Sequence, residues 1–203
     1  MPLTQIKAPI KVAGDNSKEK LGLVHVVTGD GEGKTTSSLG LAMRAIGSSL
    51  TVHMIQFLKS GLTGEIYSAN RLGFVIEQFG IDALKEKQKN LQEFSDRTGS
   101  FVFQPDLKEK DAAMEGWEHA KKIISNGQYD LIILDEINCA LAKGLIPLQE
   151  VLDVVRNHGK AELVFTGRDA PKELMDAADY VNVIQGVKHP WQKGIVARKG
   201  IEY

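Results

Sequence analysis

One stretch constrains this chain more than any other: Val26-Val27-Thr28-Gly29-Asp30-Gly31-Glu32-Gly33-Lys34-Thr35-Thr36. The apolar run Leu21 to Val27 before it predicts a buried strand, and Ser37 to Ile46 after it places Leu39, Met43 and Ile46 at helical spacing. Strand, tight glycine loop and helix are the context a Walker-type phosphate loop requires. Glycines allow successive backbone N–H groups to turn inward on an anion, and Lys34 adds a point positive charge. Thr35 stands where a helix N-terminus already favours negative charge and is a ligand for Mg²⁺ or Mn²⁺. Thr28 occupies the position where the usual pattern carries its first glycine. The reading is a nucleotide site built from Gly29, Asp30, Gly31, Glu32, Gly33, Lys34, Thr35 and Thr36.

The rest of the chain supplies partners for that loop. Tyr129 to Leu134 is a buried strand running directly into Asp135-Glu136, carboxylates placed to hold the metal directly or through water. Ala161 to Phe165 is a strand delivering Thr166-Gly167-Arg168 to the same edge, with Arg168 a polyphosphate clamp because its fork donates paired hydrogen bonds. Leu50 to Leu58 is a further buried strand, and its end brings Gln56 and Lys59 within reach, since ligands sit beyond the carboxyl ends of such strands. Lys59 as a solvated loop lysine is an equal alternative. Phe74 to Phe79 reads as an edge strand because Glu77 and Gln78 interrupt it, and Tyr180 to Ile184 as another strand. Helices are expected at Thr63 to Leu72, Ile81 to Asp96, Pro105 to Asn126, Ile137 to Lys143, Pro147 to Asn157 and Asp169 to Ala178, with Gly47 capping the first helix. Alternating strands and helices predict an α/β chain: a single doubly wound, mostly parallel sheet with helices on both faces, P-loop NTPase-like, over residues 21–203. Residues 1–20 are expected to form a mobile leader, and the tail after Val187 to end in a short strand.

Composition narrows the function. With 25 Lys and Arg against 26 Asp and Glu, the balance argues against a nucleic-acid or membrane-surface binder. No run is long enough for a membrane span, and no secretory signal opens the chain, so cytoplasm is the expected location. One cysteine, Cys139, excludes an intramolecular disulfide. The 5 histidines are scattered, and no histidine–carboxylate spacing reads as a zinc site or a nucleophile triad. In Gly99 to Phe103, Phe101 and Phe103 stand on one side of an extended segment, as core or as a platform for a flat ligand.

Taken together, the chain resembles the ATP:corrinoid adenosyltransferases of bacterial cobalamin synthesis, the cob(I)yrinic acid a,c-diamide adenosyltransferase family. The matching pieces are TGDGEGKTT at 28–36, the Arg44 helix, IQFLKS at 55–60, FVF at 101–103, LDEINCALAKGLI at 134–146, FTGRDAP at 165–171 and VKHPWQKGIVARKGIEY at 187–203. The resemblance implies transfer of the 5′-deoxyadenosyl group of ATP to the Co(I) centre of a reduced corrinoid, with release of triphosphate. It implies that ATP lies in the reverse sense from ordinary NTPases, with C5′ facing the nucleophile. Lys34, Glu136 and Arg168 are then the catalytic set, and Thr35, Asp135 and Glu136 lie at the metal. Arg44 and Arg168 match nucleotide contacts, and Phe101 and Phe103 match an aromatic pair against the corrinoid. A homodimer, a leader covering the corrinoid site and an electron-donating reductase are further implications. Glu32 stands where many relatives carry lysine, Phe103 replaces a tryptophan, and the stretch 81–96 is longer. Two other readings share the loop: a P-loop ATPase or kinase attacking the γ-phosphorus, and a nucleotide-dependent corrinoid-binding module.

Overall fold

A computed structural model describes residues 17–80 and 107–202. Strands β1 (Val24–Thr28), β2 (Val52–Phe57), β3 (Val75–Phe79), β4 (Leu131–Asp135), β5 (Glu162–Thr166) and β6 (Tyr180–Val183) form one sheet, ordered β3-β2-β4-β5-β1-β6. Every pairing is parallel. The helices are α1 (Lys34–Gly47), α2 (Gly64–Leu72), α3 (Leu107–Ser125), α4 (Ile137–Ala142), α5 (Leu148–Asn157) and α6 (Lys172–Ala177). The expected helix 81–96, the segment with Phe101 and Phe103, and residues 1–16 of the leader lie outside the described residues.

The central strands are buried on both faces, which is why they read as continuous apolar runs. In β4, Leu131 and Ile133 join Met54, Ala42 and Ala45 under α1, while Ile132 and Leu134 join Ile55, Phe57 and Trp117 under α3. The period of two thus divides each strand between two cores, and helices cover both faces of the sheet.

Several expectations move. Helix α1 starts at Lys34 and not Ser37, so Lys34 and Thr35 lie in its first turn. Gly47 stays helical, and Ser49 takes the left-handed turn at φ 61°. The tail forms no terminal strand among the described residues; it makes a 3₁₀ turn at Pro190–Lys193, and Gly194 and Gly200 break extension at φ 74° and 79°. No histidine–carboxylate constellation reads as a zinc site from the sequence, yet the fold brings one such group together. His53 and His119 both meet Oε2 of Glu77, at 2.7 and 2.6 Å. These residues stand 24 and 42 positions from Glu77, so no local spacing records the cluster.

Candidate active site

The carboxyl ends of β1, β2, β4 and β5 converge on the N-terminus of α1. Thr28 ends β1, and the chain turns through Gly29 at φ 106° and Gly33 at φ 110°, a backbone region open to glycine. The loop is backed by the residues after β6. The Gly31 N–H donates to the Ile184 carbonyl at 2.9 Å. A Cβ on Gly29 would stand 2.3 Å from that carbonyl oxygen, and one on Gly31 would stand 2.7 Å from the Gln185 carbonyl carbon. Close backbone approach therefore demands glycine at both positions. Asp30 turns to the same backing segment: the Gly186 N–H donates to its Oδ1 at 3.1 Å and holds the carboxyl below the usual carboxylate range, with Arg168 and Lys34 adding to the effect.

Lys34 is buried, and its ammonium donates to the Gly31 carbonyl at 2.6 Å. Thr35 donates its hydroxyl to Asp135 Oδ1 at 2.9 Å. Asp135 is a fully buried hub. Its Oδ1 also accepts from Thr166 at 2.5 Å, and its Oδ2 accepts from Gln56 at 3.0 Å and Lys59 at 2.7 Å. Four donors, one of them charged, offset the desolvation of that carboxylate. Lys59 also lies 3.3 Å from Thr35 Oγ1, so it belongs to the cluster and is not a solvated loop lysine.

Glu136 follows in the left-handed region at φ 62°, uncommon for a residue with a Cβ, and its N–H donates to Thr166 Oγ1 at 3.2 Å. This turn separates the two acids: Asp135 stays in the sheet while Glu136 faces the cleft. Its Oε2 accepts from the Cys139 thiol at 2.9 Å. Burial, reinforced by the Glu136 carboxylate, pushes that thiol up to about 12. The Arg168 N–H donates to Cys139 Sγ at 3.2 Å, so one sulfur links the β4 and β5 ends.

These residues border a cleft of about 700 Å³ between α1, α2 and the tail at Gly200–Glu202. Glu32, Gly33, Lys34, Thr35, Thr36, Glu136 and Arg168 line it. Glu32 leans outward, 3.3 Å from His189. Gly29, Asp30 and Gly31 shape the loop from behind. Arg44 is not brought in: it is exposed near the far end of α1, ten residues and about 15 Å along the axis from Lys34. Sequence reasoning missed three supports, namely Cys139 beneath Glu136, the 184–186 backing segment, and Gln78, which donates to Gln56 Oε1 at 3.0 Å. Only Gln78 had a signal, a polar residue interrupting an apolar strand.

Comparison with known proteins finds relatives over nearly the whole chain. Residues 20–203 match the family described as ATP:corrinoid adenosyltransferase BtuR/CobO/CobP. The chain is 29% identical to the corrinoid adenosyltransferase CobA of Salmonella typhimurium, covering 98% of this chain and 94% of that protein. It is 32% identical to a corrinoid adenosyltransferase of Pseudomonas aeruginosa, covering 92% and 86%. A Sinorhizobium corrinoid adenosyltransferase is 30% identical, covering 95% and 85%. The chain belongs to the ATP:corrinoid adenosyltransferase family.

Proposed function

We propose that the glycine loop and the start of α1 hold the triphosphate of ATP in a P-loop NTPase-like manner, with C5′ turned toward the cobalt of a reduced corrinoid. As a member of its family the chain transfers the adenosyl group of ATP to a corrinoid cobalt centre. The step balances without a protein base. Co(I) attacks C5′ with its electron pair, a Co–C bond forms, the C5′–O bond breaks, and triphosphate leaves with the bonding pair as cobalt becomes Co(III). The protein aligns the two centres, neutralises the leaving group and excludes water.

The observation that carries this reading is the meeting of Lys34 and Thr35 with Asp135 and Glu136 at one end of the sheet, in a cleft lined by no histidine among the described residues. Lys34 and Arg168 receive the developing charge on triphosphate, and Thr36 and the loop N–H groups orient it. A divalent ion fits the donor set. The Thr35 hydroxyl donates its hydrogen bond to Asp135, which leaves a lone pair for an ion, and Glu136 faces the same space. Lys59 Nζ already stands beside Asp135 Oδ2 and Thr35 Oγ1, which supports positive charge at these oxygens. Thr35 and Glu136 would hold Mg²⁺ or Mn²⁺, with Asp135 acting through Thr35 or water; the ion draws charge from the triphosphate oxygens. Phe101 and Phe103 meet the corrinoid, residues 1–20 cover it, and the working form is a homodimer served by a reductase; Arg44, exposed far along α1, has no part in this reading.

The test is an anaerobic reaction of ATP, Mg²⁺ and a chemically reduced Co(I) corrinoid. Loss of the Co(I) absorbance with stoichiometric inorganic triphosphate is the expected result. ADP and phosphate would instead indicate attack at the γ-phosphorus, and ATP binding without transfer a binding module.

A further inference from the structure

On the sheet face opposite the ATP cleft, three ligating side chains from three elements converge. In β2, Met54 packs under α1 while Ile55 and Phe57 pack under α3, so alternation puts His53 on the α3 face. Phe79 places the odd-numbered residues of β3 on that same face, which brings Glu77 beside His53. His119 comes down from the middle of α3. The carboxylate oxygen and one nitrogen of each imidazole all lie within 4.8 Å of one another. We propose that His53, Glu77 and His119 form a binding site for a divalent transition ion of the zinc class, separate from the ATP–corrinoid cleft.

Both imidazoles direct Nε2 at Glu77 Oε2, so each Nε2 carries an N–H, and the neutral form of either ring then has Nδ1 as its bare nitrogen. An ion taking the two Nε2 atoms and Oε2 needs its ligands about 3.3 Å apart, given bond lengths of about 2.0–2.2 Å. The present contacts open by about 0.7 Å to admit it, with each proton passing from Nε2 to Nδ1 of its own ring and no net proton loss. His53 is buried and packs against Tyr129 with ring centroids 4.7 Å apart and the rings tilted by 55°. Glu77 and His119 are partly exposed, and they supply both the room to move and the entry path. Two nitrogens and one oxygen select zinc-class ions over Mg²⁺ or Ca²⁺, which prefer all-oxygen sets. Nδ1 of His53 is buried without a hydrogen-bond partner. The usual outer acceptor behind a metal-bound histidine is therefore missing, which lowers affinity about 10–100-fold. The ion would join α3 to β2 and to the edge strand β3.

The test uses the untagged full chain with saturating Mg²⁺ and ATP. Zn²⁺ is titrated in competition with a chromogenic chelator, and Co²⁺ binding is followed by its d–d absorption. One equivalent should bind, raising the melting temperature, and His119→Gln should weaken binding more than about tenfold. Glu77→Gln is the second variant; both positions are partly exposed, so both proteins should fold, as metal-free melting checks. Absence of saturable binding, or equal binding in wild type and His119→Gln, would overturn the site. Adenosyl transfer is read separately, so failure here leaves the proposed function intact.

Discussion

Lys34 is buried in the loop and Cys139 is half-buried beneath Glu136, and each supports a separate test. Lys34 makes its side-chain hydrogen bond to a loop carbonyl and supports no core cluster. Lys34→Ala should therefore leave melting temperature and far-ultraviolet dichroism close to wild type while adenosyl transfer falls at least about 100-fold, the scale for losing one donor to a developing anion. Cys139 carries a thiol pushed up to about 12, so it stays protonated at neutral pH. Its reactive thiolate is about a thousandfold scarcer at pH 8 than for an ordinary thiol near pKa 8.5. Native protein should be alkylated by iodoacetamide at pH 8 at least about 100-fold more slowly than unfolded protein, and similar rates would contradict the Cys139–Glu136 contact. The sign for stability follows from the raised value. The contribution is present below the unfolded thiol pKa and is lost as pH rises from there toward 12.

At the level of elements, α3 is held to the sheet by unusually close packing. A Cβ on Gly116 would meet Phe79 Cβ at 2.7 Å and Phe57 Cε1 at 3.1 Å. Alanine normally favours a helix over glycine by about 1 kcal/mol, but Phe79 Cβ sits on the strand backbone and cannot swing aside. Gly116→Ala should thus destabilise the protein by about 1–2 kcal/mol in urea, the overpacking term exceeding the propensity gain. A gain in stability would show that α3 rides higher over β3. Strand β3 itself was legible as an edge strand, because Glu77 and Gln78 break its apolar run. The roles of those two residues were not: one faces His53 and His119, and the other reaches Gln56 across the opposite face.

For the whole molecule, the proposed homodimer predicts light scattering at twice the 22.3 kDa chain mass at micromolar concentration. A monomer there would remove the dimer from the proposal while leaving the cleft untouched. What the sequence determined by itself was whatever depends on residues adjacent in the chain: the glycine loop, the apolar strands, Asp135-Glu136 at a strand tip and the alternation that makes a parallel α/β sheet. What only the tertiary structure decided depends on strand order and on which face each side chain takes. Placing β6 beside β1 brings Gly186 to Asp30, 156 residues away, and pairing β4 with β5 sets Thr166 against Asp135. The left-handed turn at Glu136 sends one acid into the sheet and the other into the cleft. Periodicity fixes which neighbours along one strand share a face. It carries no record of which distant segment will pack there, because that choice is made by burial across the entire sheet.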